Sequence, residues 1–260
     1  MKLSIDTDRD IMIAENEGRS EELPLYSRSG LEALTRIWIK VQWNELHWKS
    51  ISWHGFPIFQ LSEDLLRIQE VIFRITPDVI VETGVNRGGS AVFFASLCRL
   101  IGKGRVVSID IRIPRSVRDA VAKCPYADLI TLIEGDSTAP STVGTVRQLI
   151  GEKEKTFFFL DSDHSKAHVL RELNAYAGLV SVGSYIVAAD GIMHVLHDTP
   201  KGSRQWLDDN PAAAAREFVS VNRSFVIDKP KPLFGREYEI HAFTYWPDGW
   251  LLRKSMDKTG

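Results

Sequence analysis

The stretch that decides the fold is Asp78-Val79-Ile80-Val81-Glu82-Thr83-Gly84-Val85-Asn86-Arg87-Gly88-Gly89-Ser90. An apolar run ends in an acid and enters a turn with glycines at 84, 88 and 89, after which Ala91-Val92-Phe93-Phe94-Ala95 reads as a helix. Glycine lets a turn pass close to a ligand because no Cβ stands in the way. The helix that follows aims its free amide N–H groups at that ligand. An open α/β sheet holds a nucleoside-type cofactor in this way, at the carboxyl end of its first strand. A dinucleotide fingerprint needs G-x-G-x-x-G, and a phosphate loop needs a Gly-Lys-Ser/Thr ending. Neither is present, since the spacing is Glu82-x-Gly84-x-x-x-Gly88.

That wider turn resembles motif I of class I S-adenosylmethionine (SAM)-dependent methyltransferases. The resemblance implies cofactor contacts from Glu82, Gly84, Asn86, Gly88 and Ser90. Arg105-Val106-Val107-Ser108-Ile109-Asp110 is a second buried strand ending in an acid, 26 residues after Gly84. A lone strand-end acid is ordinarily a surface residue. One βαβ unit after the glycine turn, Asp110 is placed to accept both ribose hydroxyls. A third strand, Leu129 to Glu134, leads into Gly135-Asp136-Ser137, and Asp136 and Ser137 are expected to face the adenine.

Thr156-Phe157-Phe158-Phe159-Leu160 is wholly apolar, as befits a central parallel strand buried on both faces. It ends in Asp161-Ser162-Asp163-His164. The next strand, Ser184 to Ala189, ends in Asp190. Neighbouring strands would bring Asp161 and Asp190 together, and two oxygen ligands with open positions suit a hard ion such as Mg²⁺.

Trp53-His54-Gly55-Phe56-Pro57, Asp64, Val81-Glu82-Thr83-Gly84 and the run from Leu160 to Leu170 together resemble the cephalosporin hydroxylase/rhamnosyl O-methyltransferase family, over roughly Ile51 to Arg253. The resemblance implies a doubly wound Rossmann-like methyltransferase sheet, mostly parallel with an antiparallel C-terminal strand. It also implies SAM-dependent methylation of a hydroxyl on a sugar or glycosylated natural product, with metal assistance. One departure stands out. The family usually carries Glu-Asp at the end of the fifth strand, and this chain has Ala189-Asp190, so the metal expectation rests on Asp161 and Asp190, with Asp163 as a further candidate.

Methyl transfer from a sulfonium is an in-line displacement governed by positioning. A sugar hydroxyl must also lose its proton to a base or be acidified by a metal. His164 lies three residues past Asp161, the offset at which catechol-type methyltransferases carry their base. His164 and Asp161 are therefore the catalytic candidates; the alternative for His164 is capping the next helix or orienting Asp161. His168 reads as a packed or surface residue, whereas His194 and His197 lie where they could meet substrate.

The 260 residues, 44% hydrophobic and 25% charged, fit one large α/β domain with an extension. The expected division is an N-terminal arm and helical extension over 1–60 and a SAM-binding domain over 61–260. Residues 1–30 are polar, with Glu15, Glu17, Glu21 and Glu22 clustered, and read as a mobile or partner-dependent arm. A helical pattern from Gly30 to Ser52 carries Trp38, Trp43 and Trp48, which could form a lid, pack between subunits of a homo-oligomer, or pack on their own domain. Ser62 is expected to cap the next helix. Final strands are expected over 225–228 and 242–246, with extended structure resuming at Trp250. The irregular segment from Ile192 to Asn210 is expected to border the acceptor pocket.

With a net charge of −2, nothing suggests electrostatic binding to nucleic acid, and no nucleic-acid partner is expected. No apolar run reaches membrane-spanning length. Charges occupy the first ten residues where a signal peptide needs an apolar core, so a cytoplasmic location is expected. Cys98 and Cys124 make no disulfide framework. Two other functional classes remain: a non-methylating cofactor-binding partner of an oxidising enzyme in antibiotic tailoring, favoured by Ala189, and an NAD-linked dehydrogenase.

Overall fold

The computed structural model describes residues 2–16, 18–235 and 243–255. The polar N-terminus forms three antiparallel strands, β1 (Lys2–Asp6), β2 (Ile11–Asn16) and β3 (Arg19–Pro24), rather than the expected loose arm. The reason is a period-two signal hidden under the charges. Met12 and Leu23 face inward and pack with Leu25 and Ala33 against helix α1 (Arg28–Asn44), while Glu15, Glu21 and Glu22 face water. The turn between β1 and β2 is set by Asp6, whose Oδ1 accepts from the Asp8 and Arg9 amides.

A 3₁₀ turn (His47–Ser50) follows, then a small hairpin of β4 (Ser52–Trp53) and β5 (Phe56–Pro57). Helix α2 (Ser62–Ile75) begins one residue after its cap, which is Leu61 and not the expected Ser62; Glu63 and Asp64 in the first turn favour the helix dipole.

The alternation expected of a doubly wound fold then runs through the chain. Strand β6 (Val79–Thr83) is followed by α3 (Gly89–Ile101), β7 (Arg105–Asp110) by α4 (Arg115–Ala122), and β8 (Ile130–Glu134) by α5 (Pro140–Leu149). Strand β9 (Thr156–Leu160) is followed by α6 (Lys166–Tyr176), and β10 (Tyr185–Ala188) by α7 (Met193–Leu196), a 3₁₀ turn (Arg204–Leu207) and α8 (Pro211–Val221). Strands β11 (Phe225–Ile227) and β12 (Trp250–Arg253) close the chain. The sheet order is β11-β12-β10-β9-β6-β7-β8, parallel from β8 to β10, with β12 antiparallel to both neighbours. Among the described residues the last strand is therefore Trp250–Arg253. Residues 243–246, expected to be extended, form bends instead, and residue 242 lies outside the described residues.

Side-chain alternation sends successive residues of each strand to opposite faces. Ile80, Phe157, Phe159 and Val187 pack with α2 and α3 in one core. Val81, Phe158, Leu160 and Ile186 pack with α6 and α8 in the other. β6 is flanked by β7 on one side and β9 on the other, so the chain reverses its direction of winding there. Open α/β sheets place their ligand crevice at that switch, outside the carboxyl ends of the strands. Among the described residues, no helix is long and apolar enough to cross a membrane.

Candidate active site

Hydrogen bonds hold the strand tips in register to their last residues. Gly84 N–H donates to Ile109 O at 2.7 Å, Asp161 N–H to Thr83 O at 3.0 Å, and Ala189 N–H to Leu160 O at 2.9 Å. At Gly84, φ is +91° and an added Cβ would lie 2.1 Å from the Asp161 carbonyl oxygen, so only glycine lets the two loops cross here. Asn86 and Asp190 both hold positive φ, 46° and 59°. Asn and Asp tolerate that region better than other side chains.

A cavity of about 780 Å³ opens over these tips. Its floor includes Gly84, Asn86, Asp110, Asp161, Ser162, His164 and Asp190. A second cavity of about 350 Å³ shares Gly84, Asp110 and Ser162 with the first and extends to Asp136, Ser137 and His168. Together they trace a continuous path along the ends of β8, β7, β6, β9 and β10. Asp110 accepts from the Asn86 amide at 3.0 Å and the Arg112 amide at 3.1 Å, which orients its carboxylate at the junction of the two cavities.

The sequence-predicted residues divide. Gly84, Asn86, Asp110, Asp136, Ser137, Asp161, His164 and Asp190 line the path. Gly88 and Ser90 do not. Gly88 has φ +83° and faces the Val121 side chain 2.9 Å from where a Cβ would lie, so it serves the packing of α3 against α4. Glu82 is fully buried beneath the turn, and neither of its carboxylate oxygens has a donor in bonding geometry. Burial pushes its pKa up to about 7, only partly offset by the Ser108 and Ser90 hydroxyls.

At the floor, ligand atoms of Asp161, His164 and Asp190 all lie within 4.8 Å of one another. His164 Nε2 is 3.5 Å from Asp190 Oδ2. Burial first, then the facing carboxylates of Asp190 and Glu82, raise the Asp161 pKa well above the usual range, while the Gln60 amide pulls it down. Burial raises Asp190 as well, and His164 opposes that shift. Asp163 is not part of the cluster: it is exposed, and its Oδ1 accepts from the Ser165 amide at 2.8 Å. His164 does not cap α6, because Ser165 does. Ala189 is buried in the core.

Several residues were not legible as site residues. Gln60, 3% exposed, donates to Asp161 Oδ2 at 2.8 Å and accepts from Trp246 Nε1 at 3.1 Å. Asp64 holds the segment above, accepting from Thr244 Oγ1 at 2.5 Å and the Tyr245 amide at 2.7 Å. Behind the smaller cavity, the fully buried Glu172 accepts from Ser137 Oγ at 2.5 Å and Ser162 Oγ at 2.7 Å, with His168 Nε2 at 3.4 Å. His168 is thus a half-buried wall of the smaller cavity, the packed one of the two places expected for it, and the i,i+4 pairing with Glu172 was the available signal. His194 and His197 turn their Nδ1 atoms to the carbonyls of Gly191 and His194 and line neither cavity.

The roof is aromatic. Trp43, Trp48, Phe59, Trp206 and Tyr245 line the larger cavity. Trp43 meets Trp206 edge-on at 5.4 Å, and Trp48 meets Phe59 at 5.3 Å. Ile192, Met193 and Trp206 bring the segment after β10 to the larger cavity, whereas Trp38 is 41% exposed and lines neither cavity.

With this geometry in hand, the chain can be set beside known proteins. The family described as Rhamnosyl O-methyltransferase/CmcI matches residues 45–254. A rhamnosyl O-methyltransferase of Mycobacterium leprae (strain TN) is 32% identical over 212 residues, covering 80% of this chain and 85% of that protein. An apo structure of CmcI superposes with a TM-score of 0.55 at 20% identity, covering 80% of this chain and 78% of that one. A Mg-SAM structure of CmcI gives 0.53 at 21% identity with the same coverage. Both likenesses bear on the fold. The chain belongs to the rhamnosyl O-methyltransferase/CmcI family.

Proposed function

We propose that this SAM-dependent O-methyltransferase methylates a hydroxyl of a sugar or glycosylated natural product, with a divalent ion between Asp161 and Asp190 and with His164 as base. The observation that carries the reading is the convergence of Asp161, His164 and Asp190 at the tips of β9 and β10, beside the Gly84 turn. The sugar class is supported by the name of the M. leprae relative.

The donor set fits a hard cation. Two carboxylates face each other under burial, each with a raised pKa, and a divalent charge would relieve that repulsion. When bound, SAM supplies an electrophilic methyl group and Mg²⁺ acidifies the hydroxyl it holds. The chain's own residues supply the rest. Gly84 keeps the crossing point open, Asp110 is oriented to accept the ribose hydroxyls, and Ser137 and Asp136 border the adenine side. Gln60 fixes one oxygen of Asp161 and leaves the other for an ion. His164 takes the proton of the acceptor hydroxyl, and the Asp190 carboxylate beside it stabilises the imidazolium that forms. The aromatic roof offers flat apolar faces to a sugar ring and keeps water from the transfer.

Labelled SAM incubated with deoxysugar and glycoside acceptors, with and without chelator, tests the reading. Transfer to a hydroxyl, lost with chelator and in His164→Ala while S-adenosylhomocysteine (SAH) still binds, is the expected result. If His164→Ala also loses metal affinity, His164 is a ligand and not the base. Ala189 favours a second reading, the non-methylating partner protein, which predicts SAH binding with no transfer to any acceptor. We also place the protein in the cytoplasm as a homo-oligomer; the exposed Leu31, Trp38 and Val41 on α1 support self-association, which light scattering measures.

A further inference from the structure

The larger cavity is electrically lopsided. Its acids stand on the floor, and its cations Lys49, Arg87 and Arg112 stand at the rim. The Ile113 amide and the Arg118 guanidinium hold the Glu134 carboxyl below the usual carboxylate range, and Arg112 nearby adds to that effect. Lys49 and Arg87 have no acidic partner among the described residues. Lys49 Nζ sits 5.0 Å from the centroid of the Trp48 ring, a contact that places the ammonium without neutralising it. The two cations come from different elements, the 3₁₀ turn after α1 and the glycine turn after β6, so nothing local requires them to face one space.

That space does not end at them. Lys49, Arg87 and Phe59 also line a third cavity of about 550 Å³, whose other walls include Phe56, Pro57 and Val117 of α4. The two cations therefore form a sill between a polar floor, where a hydroxyl would react, and a shallow, open and largely apolar groove beyond. An anion seated on that sill is internal to its molecule, with one part on either side. A carboxylate is a terminal group and is served by a single guanidinium fork. A phosphodiester or diphosphate is a linking group with several oxygens, and suits two cations from two directions.

We infer that the acceptor is a sugar joined through a phosphate ester to an aglycone, with the ester on Lys49 and Arg87 and the aglycone along the open groove lined by Phe56 and Pro57. The inference rests on the sugar-acceptor reading above and adds the charge and the shape of the acceptor to it. The shared chemistry is the phosphate ester; the aglycone is a nucleoside or a lipid.

Calorimetry on the whole chain, with saturating SAH and with chelator to remove any ion, separates these without turnover. The probes are uridine diphosphate, geranyl phosphate, a hexose 1-phosphate and glucuronate. Uridine diphosphate or geranyl phosphate should bind more tightly than the hexose phosphate, because only they reach along the groove, and affinity should fall with added salt. Lys49→Gln and Arg87→Gln should each weaken that binding at least tenfold, with SAH affinity held within about twofold as proof of an intact fold. The tighter of the two larger probes names the aglycone. The inference is overturned if no phosphate probe binds the wild type, if glucuronate binds as well as the phosphates, or if Arg87→Gln lowers SAH affinity in step, which would give Arg87 to the cofactor's carboxylate. Because methyl transfer is not the readout, a failure of the sugar-methylation reading shows up separately, as no transfer despite phosphate binding.

Discussion

Asp161 and Asp190 stand in the cleft at the ends of two adjacent parallel strands, with Glu82 buried beneath the turn of the next, whereas Trp43, Trp48 and Trp206 reach the cleft from a helix and two 3₁₀ turns. The floor is held by ladder hydrogen bonds out to the strand tips and by loops that cross too closely for any side chain at Gly84. The tryptophans of the roof are held by edge-on ring contacts and surface ion pairs such as Lys40–Asp198 at 2.7 Å, whereas Tyr245 is fixed by the buried Asp64. Exposed ion pairs of that kind contribute little, typically under about 1 kcal/mol. A rigid floor suits chemistry common to every acceptor, and a lightly held roof suits a pocket that differs from one acceptor to the next.

The sharpest way to break this comparison is at Asp161. Asp161→Asn should lower turnover by roughly 10³, about 4 kcal/mol of transition-state stabilisation, and abolish any response to chelator. Circular dichroism should be unchanged, since the Gln60 contact can be kept. Next comes the crossing point. In Gly84→Val a Cβ would collide with the Asp161 carbonyl at a positive φ. The expected cost is about 3 kcal/mol or more in a urea melt, with loss of SAH binding. An unchanged midpoint would mean the floor yields as readily as the roof.

Glu82 sharpens the comparison through pH. Burial lifts its pKa from 4.5 to about 7, so the folded chain keeps a proton that the unfolded chain has released across that window. Its contribution is fully present below pH 4.5 and is lost as pH rises through 7; the gap corresponds to roughly 3 kcal/mol. Asp64, raised by burial to about 7, acts in the same direction. Urea midpoints of the wild type should therefore decline from pH 4.5 to 7 more steeply than those of Glu82→Gln, and parallel curves would show that Glu82 is ionised in the folded chain. The smallest effect belongs to the roof. Trp206→Ala should raise the acceptor KM about tenfold, near 1.4 kcal/mol, and leave SAH affinity alone.

The same contrast explains what could be read in advance. The floor was legible because parallel strands write themselves as apolar runs ending in acids, as at Val79–Glu82 and Phe157–Asp161. Asp110, Asp161 and Asp190 followed from position alone. The pairing of Gln60 with Asp161 joins residues 101 positions apart, and no local pattern announces it. Gly88 lines neither cavity and meets Val121 instead, and a glycine needed for helix packing looks, in sequence, like one needed for a ligand. The N-terminal sheet was hidden because its outward glutamates dominate the composition while its inward Met12 and Leu23 carry the fold. The strand at Trp250–Arg253 slots between β10 and β11, an order that chain position does not reveal.

Titration of SAH into the wild type and Asp110→Ala tests the central claim most directly, that the turn at Gly84 and the acid at the tip of β7 hold the nucleoside of the methyl donor. One molecule of SAH should bind per chain, and the variant should lose about 2–3 kcal/mol of that affinity as two ribose hydroxyls lose a charged acceptor. No binding to the wild type, or equal affinity in the two proteins, would contradict it.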